Sequence, residues 1–405
     1  MHIPEQVRAL LRPQAGWYGL IAAIGLTWIG MEAIATAAPA KATAQAMWIP
    51  IAVLFMLVST LPHPRILGLA CYPMMVACMA LLFVTIMPMP RSIVPPVNGA
   101  TCWIDLGFTR FQPAELAKVV WVLALAWYLR YRDSYRTLTG LLVPFAIMFA
   151  PMGVLLKQPD LGLAMLYPPT LFAMLVAAGA KLRHLGALIG IGLLAVVLNV
   201  SLIYALPANQ VHPFLKDHQV RRIKSTISLV QGDDRYNDTD AFQQRKGIAL
   251  MGAGGLTGYG ADRARVMIAA NALPWPENDM IFVVIVARWG LMGGLVTLGL
   301  YLMLILSFVQ VAARSKDPFV RLVCAGFAGL MFTQTAVNIG MTVGLLPITG
   351  INLPFVSYGG TSLVSTFIMM GLVLNFGSRR PTLLSRPSFE FDNLNPQGEK
   401  LLIRQ

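Results

Sequence analysis

The sequence has few charged residues for its length. Only 12% of its 405 residues are charged, whereas soluble globular proteins carry about 25%. This scarcity argues against a soluble enzyme, a disordered scaffold or a nucleic-acid-binding protein, although the net charge is +13. Hydrophobic residues make up 57% of the chain, and the mean hydropathy is +0.66. The composition therefore predicts a polytopic membrane protein.

Side chains that bind metals are also scarce. The chain has four cysteines and five histidines. Cys71 and Cys78 share a helix face in the third apolar segment, but no spacing resembles a zinc site and no pair requires a disulfide. The sequence therefore assigns no metal ligand and requires no cofactor.

Ten apolar segments reach or approach the roughly 20 residues that a helix needs to cross a membrane. They lie at 16–38, 47–62, 66–88, 115–130, 138–156, 161–179, 185–205, 280–310, 322–345 and 356–377. We predict an all-α fold, with ten transmembrane helices in one domain over 1–377. A large extracytoplasmic loop, 206–279, precedes the eighth helix, and 378–405 is predicted to be a cytoplasmic tail.

The distribution of basic residues predicts the orientation. With the N-terminus in the cytoplasm, the inside segments and the tail hold sixteen of the 31 Lys and Arg residues, whereas the short outside loops hold four. The positive-inside rule then places both termini in the cytoplasm. The first segment could alternatively be a signal peptide cleaved near 35–37, but its length and the remaining topology favour an uncleaved helix.

Three acidic residues lie near predicted outer ends of helices, where polar groups in membrane proteins usually have a function. Glu115 begins the fourth segment, with Lys118 one turn later, while Asp160 and Asp279 precede the sixth and eighth. Each also has a plainer structural interpretation, because acidic residues favour the first turn of a helix and aspartate is a common N-cap. The residues alone leave both interpretations open.

Two further features concern the eighth segment. Arg288 lies about 13 Å deeper than Asp279, at 1.5 Å per residue, so it needs a partner inside the bundle, and we predict Glu32 for this role. The run Gly-Gly-Leu-Thr-Gly-Tyr-Gly at 254–260 lacks the preceding strand and the spacing of a nucleotide-binding loop, so it predicts tight turns. Basic residues of the same outer loop favour either a solvated face or a site for an anionic lipid headgroup.

The segment 338–362 predicts a helix end, an irregular loop that re-enters the outer surface, and the start of the last helix. Irregular backbone at membrane depth is tolerated only against protein or a cavity. Ser357, Thr361 and Ser362 are therefore expected to satisfy backbone groups there.

In their order along the chain, these motifs resemble those of the SEDS proteins (shape, elongation, division and sporulation), the family of RodA and FtsW. The near-continuous match at 338–362 is the most specific. Shorter elements match at 99–104 (Gly-Ala-x-x-Trp-Ile), 112–118 (Gln-Pro-x-Glu-x-x-Lys), 158–162 (Gln-Pro-Asp-Leu-Gly) and 254–260 (Gly-Gly-x-x-Gly-x-Gly).

The resemblance implies a peptidoglycan glycosyltransferase that polymerises lipid II on the outer face of the cytoplasmic (inner) membrane, during elongation or division. It implies that Asp279 is the catalytic base and Asp160 a second functional aspartate. The substrate-binding residues that it implies are Trp103, Glu115, Lys118, Ser357, Tyr358, Gly359 and Gly360. The implied partners are lipid II and a bitopic class B penicillin-binding transpeptidase, and a divalent cation that shields the pyrophosphate is compatible with the family.

The chain departs from the family pattern at four places. Glu277-Asn278 replaces a common His-Thr, and Ala287-Arg288 replaces a usual Glu-Glu pair. Lys246-Gly247 replaces Gln-Ser, and Thr101-Cys102 stands where a basic residue usually precedes the tryptophan. These departures favour an alternative, a catalytically degenerate scaffold of the division or elongation machinery. A flippase for lipid-linked precursors is a third alternative, against which the clustering of polar residues on the outer side argues.

Overall fold

The computed structural model describes residues 14–96, 101–107, 109–205, 220, 223–227 and 240–379. The helices bounded in this part of the chain are α1 (Gly16–Ala37), α2 (Pro39–Ser59), α3 (Pro64–Ile86), α4 (Pro113–Leu129), α5 (Leu142–Lys157), α6 (Leu161–Ala164), α7 (Tyr167–Ala178), α8 (Leu182–Ala205), α9 (Asp240–Gly254), α10 (Gly260–Ala270), α11 (Ile281–Arg314), α12 (Pro318–Thr342) and α13 (Gly360–Ser378). Strands β1 (Ile104–Asp105) and β2 (Arg110–Phe111) pair antiparallel, with Ile104 opposite Phe111.

Every predicted span corresponds to helical structure. Among the described residues, nine segments are long and apolar enough to cross a membrane, α6 and α7 together forming one of them. The remaining predicted span, 115–130, corresponds to α4, whose 17 residues are buried almost all round. The predicted bounds differ most at the second span, which begins at Pro39 rather than 47, because a proline at the first helical position starts the helix earlier.

The helices at the centre of the bundle are not adjacent in sequence. α1 packs along α11, α13 packs along α2, and α4 lies among α3, α12 and α13. In contrast to these central helices, α8 exposes most of its side chains, including Ile191, Leu194 and Val197. All four cysteines are buried and free, in agreement with the prediction that none requires a disulfide.

The predicted outer loop contains helices in its described part, since α9 and α10 lie within 240–279. Between them, 254–260 makes the expected tight turns, with positive φ at Gly255, Gly258 and Gly260. This glycine loop packs into a break in α11 at Gly290, where φ is 68° and ψ is −166°. Residues 254–256, 258 and 259 of the loop lie against α11 backbone, which explains the need for glycine at Gly254 and Gly258.

The contact between the glycine loop and α11 is made by backbone on both sides. The N–H of Tyr259 donates to Ala287 O at 2.8 Å, and the N–H of Leu291 donates to Gly255 O at 2.9 Å. A Cβ on Gly258 would lie 2.3 Å from a carbonyl oxygen of α11, and one on Gly290 would lie 2.2 Å from a carbonyl oxygen of the loop. The break divides α11 into a short outer half, 281–289, and a long inner half.

Candidate active site

The α12–α13 loop (343–359) is irregular, as predicted, and side chains from the surrounding helices satisfy its backbone. Gln334 donates to Asn352 O at 2.9 Å, Gln244 donates to Leu346 O at 2.7 Å, and the hydroxyl of Tyr301 donates to Pro354 O. A backbone without helical or strand hydrogen bonds is thereby held against protein, which is the condition for its stability at membrane depth.

The turn before α11 is attached to this loop through three consecutive carbonyl groups. Glu277 O accepts from the Tyr358 N–H at 2.9 Å, and Asn278 O accepts from the Ser357 hydroxyl at 2.6 Å. Asp279 O accepts from the Asn338 amide at 3.1 Å. The main chain that carries Asp279 is therefore fixed on three successive residues.

Asp279 lies in this turn, and it is not the N-cap of α11. The N-cap is Met280, which has no capping side chain, so the plainer structural interpretation of Asp279 is wrong. The carboxylate lies beside Gly350, where a Cβ would be 3.7 Å from Asp279 Oδ2. Gly350 has φ of +73°, a conformation that favours glycine, so this position combines a tight backbone with free space next to the carboxylate.

Asp160 does cap a helix, as the structural interpretation predicted. Its carboxylate accepts from the Leu163 N–H at 3.1 Å and from the Gln112 amide at 3.2 Å. Burial raises the pKa of this carboxyl group to about 6, the two donors oppose that shift, and the negative charge of Glu115 adds to it. Asp160 therefore changes its protonation state within the range of ordinary assay conditions.

The Asp279 carboxylate and the helix start that Asp160 caps border the same short stretch of chain, 349–351. A Cβ on Gly162, two residues after Asp160, would lie 2.6 Å from Thr349 O and 2.7 Å from the side chain of Ile351. On the other side, Gly350 lies against Asp279. The structure thus brings together three sequence clusters that lie 70 or more residues apart along the chain.

Glu115 and Lys118 form a buried ion pair beneath this site. Their charged atoms are 2.6 Å apart, and their side chains are 3% and 1% exposed. The Lys118 ammonium also donates to Gln334 Oε1 at 3.1 Å, and the Ser365 hydroxyl donates to Glu115 at 3.0 Å. Glu115 also lies in the first turn of α4, as the structural interpretation predicted.

Gln334 is a residue that the sequence analysis missed. It connects Lys118 to the α12–α13 loop by donating to Asn352 O. A buried glutamine inside an apolar span was the available signal, because polar residues in spans are expensive and usually functional. Gln45, which accepts from the Gly359 N–H at 3.1 Å, was also missed, because the predicted second span began only at 47.

Trp103 is half-buried in the segment that leads into β1. Its neighbour Cys102 donates to Gln158 O at 3.5 Å, which places this segment beside the turn that carries Asp160. Gln158 is buried and donates to Thr85 and to Leu82 O of α3. The first two residues of the 99–104 motif lie outside the described residues.

The residues 357–360 hold the loop together. The Ser357 hydroxyl accepts from the Leu353 N–H at 2.8 Å and donates to Asn278 O, which confirms its expected role in satisfying backbone groups. A Cβ on Gly360 would lie 2.2 Å from the Trp48 ring, so only glycine fits. Their predicted contact with substrate stays a prediction, as does that of Trp103, Glu115 and Lys118.

Two of the four departures from the family pattern form ion pairs. Glu277 is buried and pairs with Lys41 of α2. Arg288 pairs with Glu32, which confirms the predicted pairing, and also donates to Thr36 at 2.7 Å. At the third departure, Lys246 donates to Asn271 O at 2.6 Å.

Within the described ranges, no three histidine, cysteine, aspartate or glutamate side chains come together to hold a metal ion. The described residues therefore offer no cluster of three such side chains for the divalent cation that the family resemblance allows.

The fold and the site define a class of protein: a polytopic helical membrane protein whose polar site is built at one end of the bundle from helix starts and one irregular loop. The profile of the cell cycle protein family of FtsW, RodA and SpoVE matches residues 9–380. The chain belongs to this family.

Individual relatives agree with this assignment. The chain is 32% identical over 309 residues to a probable peptidoglycan glycosyltransferase FtsW of Geobacter metallireducens, covering 76% of each chain. It is 31% identical over 286 residues to the peptidoglycan glycosyltransferase MrdB of Escherichia coli, covering 71% of this chain and 73% of MrdB. A chain from a structure of a peptidoglycan synthase complex that coordinates polymerization and crosslinking superposes with a TM-score of 0.71 at 28% identity, covering 88% of this chain and 96% of that chain.

Proposed function

We propose that the protein is a peptidoglycan glycosyltransferase that polymerises lipid II at the outer face of the cytoplasmic membrane. The proposed site is the polar end of the bundle, where Asp279 and the helix start that Asp160 caps flank 349–351. Both termini lie in the cytoplasm in this proposal, as the positive-inside rule predicts. A bitopic class B penicillin-binding transpeptidase is the proposed partner, because a glycan strand must also be cross-linked.

In the proposed reaction, a sugar hydroxyl of the acceptor attacks the anomeric carbon of the donor's reducing-end sugar. The new glycosidic bond forms as the bond to undecaprenyl pyrophosphate breaks, and the departing pyrophosphate takes the bonding electrons. The hydroxyl proton passes to the Asp279 carboxylate, which acts as general base. Asp160 supports the site from the other side of 349–351.

The observation that carries this proposal is the fixed main chain of Asp279. A general base has to be held within hydrogen-bond reach of the proton that it removes. Hydrogen bonds to three successive carbonyls, at 277, 278 and 279, hold this turn. The absence of a side chain at Gly350 leaves room beside the carboxylate.

The alternative of a degenerate scaffold depended on the departures from the family pattern. Glu277 and Arg288 each have an oppositely charged partner from α1 or α2, so neither leaves a buried unpaired charge at the site. These two departures are therefore accommodated, which favours the enzyme over the scaffold.

The test is glycan polymerisation from purified lipid II, with the protein alone and with its candidate transpeptidase. Wild type, Asp279→Ala and Asp160→Ala are compared, and each variant must elute as a folded monodisperse species in detergent. Polymer from wild type that is lost in Asp279→Ala supports the proposal. Folded wild type that binds the transpeptidase and yields no polymer with or without divalent cations would establish the scaffold instead.

A further inference from the structure

The outer half of α11 needs its own attachment to the bundle. Gly290 has non-helical backbone angles, so the helical hydrogen bonds that would continue 281–289 into the inner half are interrupted there. The orientation of 281–289, and of the Asp279 turn that precedes it, is therefore not dictated by the rest of α11. Other contacts have to fix it.

Two ion pairs connect this segment to one feature, the corner between α1 and α2. This α1–α2 corner (residues 32–41) contributes Lys41 to Glu277, two residues before Asp279. It contributes Glu32 to Arg288, two residues before the break. The corner thus holds the segment 277–288 at both ends.

The Lys41–Glu277 pair is held by aromatic contacts as well as by charge. The Glu277 side chain is 5% exposed, and the Lys41 ammonium lies 4.9 Å from the centroid of the Trp275 ring and 5.6 Å from that of Tyr358. Cations within about 6 Å of an aromatic face are attracted to it. Lys41 therefore joins α2, the Asp279 turn and the α12–α13 loop.

The Arg288–Glu32 pair has several points of contact. Arg288 donates to the Glu32 carboxylate, to Glu32 O at 2.6 Å and to Thr36 Oγ1 at 2.7 Å. Its side chain is 15% exposed. A planar guanidinium bound by three acceptors allows little rotation or translation of the helix end that carries it.

In each pair one side chain is largely buried, whereas its partner, Lys41 at 36% or Glu32 at 39%, is more than a third exposed. Such pairs add little net stability, because solvent screens their attraction, but they can select one geometry. Both pairs occur where the chain departs from the SEDS pattern, at Glu277 and Arg288. Each departure therefore has an oppositely charged partner in the α1–α2 corner. An acidic residue at 288 would instead face Glu32.

We infer that the α1–α2 corner is a two-point clamp that positions Asp279 for catalysis. Lys41, Glu277, Glu32 and Arg288 are its positioning residues, and none of them reacts with substrate. This inference rests on the proposed glycosyltransferase function. It assigns a role to the first two spans and accounts for two departures at once.

The experiment reverses the charges of each pair singly and together. Lys41→Glu and Glu277→Lys each remove the attraction, and the double variant restores it in the opposite sense. Arg288→Glu and Glu32→Arg form the second set. Each single variant is expected to lower kcat by about 10²-fold, as a small misplacement of a catalytic group does, with KM for lipid II unchanged. Each double variant is expected to regain most of that kcat.

A second readout does not depend on activity. Hydrogen exchange of the peptide covering 275–280 should be faster in each single variant than in wild type, and slow again in the doubles. Lys181→Glu is the matched control, because it reverses one lysine charge just after α7, at the far end of the span that Asp160 begins. It should change neither kcat nor the exchange of 275–280.

Three outcomes would overturn the clamp: single variants with wild-type kcat, doubles no better than the singles although folded, or exchange that no variant alters. If a charge reversal prevents folding, Lys41→Met and Glu277→Gln each remove the attraction with smaller changes, and each is expected to lower kcat and speed the exchange of 275–280. Failure of the wild type to polymerise lipid II would refute the proposed function. The exchange data would still decide whether the corner holds the Asp279 turn.

Discussion

Asp279 and the helix start that Asp160 caps border the same stretch of chain, 349–351, but the protein holds the two aspartates in different ways. At Asp160 the hydrogen bonds are made to the carboxylate itself, by the Leu163 N–H and the Gln112 side chain. At Asp279 they hold the main chain, through the carbonyls of 277–279. A carboxylate engaged in capping suits a supporting role, whereas a carboxylate on a fixed backbone suits proton transfer.

The strongest test of this contrast removes the charge at each aspartate. Asp279→Asn should lower the polymerisation rate by about 10²- to 10⁴-fold, because it removes the general base and leaves the backbone contacts in place. Asp160→Asn should have a much smaller effect at pH 7.5, because asparagine is also a good N-cap. Initial rates with purified lipid II provide the measurement. Equal losses at the two positions would contradict the division of roles.

The Asp160 side depends on the buried pair beneath it, so breaking that pair should destabilise the protein. Lys118→Met leaves the Glu115 carboxylate buried without a cation, which should cost about 3–5 kcal/mol. The double variant Glu115→Gln/Lys118→Met should recover part of that loss. Thermal unfolding in detergent measures both. Lys118→Met as stable as wild type would show that the pair is not a structural support.

The pH dependence should also distinguish the two aspartates. Burial raises the pKa of Asp160 from 3.8 to about 6. Asp160→Asn carries a neutral side chain at every pH, so its small effect at pH 7.5 implies that protonation of Asp160 near pH 6 also leaves the polymerisation rate nearly unchanged. The rates of wild type and Asp160→Asn should therefore keep nearly the same ratio as the pH is lowered through about 6. A wild-type rate that falls steeply in that range while the rate of Asp160→Asn does not would contradict the supporting role of Asp160.

The same shift has a consequence for stability, with a defined sign. Between pH 3.8 and about 6 the folded protein binds the Asp160 proton more tightly than the unfolded chain does. Stability therefore falls as the pH rises through this window. The free energies of unfolding of wild type and Asp160→Asn should therefore become more similar toward the acidic end of this window. A wild type that gains stability relative to the variant as the pH rises would contradict the raised pKa of Asp160.

Much of this arrangement could be predicted from the sequence, because hydrophobic length and helix-start chemistry act locally. The helices at the ten predicted segments and the cap at Asp160 are such cases. The partner of Arg288 was predicted on a different ground, because a charged residue in a span needs an opposite charge inside the bundle. The Asp279 turn could not be predicted, because its geometry depends on hydrogen bonds from Asn338 and Ser357, far along the chain. The break at Gly290 could not be predicted for a similar reason, since it depends on the packing of 254–260 against α11.

The smallest expected effect concerns the glycine between the two aspartates. Gly350→Ala introduces a side chain at φ +73°, which should cost about 1–2 kcal/mol of stability. Gly179→Ala is the matched control, since Gly179 has φ +93° and its nearest atom would also belong to a charged side chain, Arg136, at 3.8 Å. The two variants should lose similar stability. Only Gly350→Ala should also lower the polymerisation rate, because its methyl group occupies the space beside Asp279. Equal polymerisation rates in the two variants would mean that substrate does not enter the space beside residues 349–351. They would also mean that the two aspartates act from separate sites.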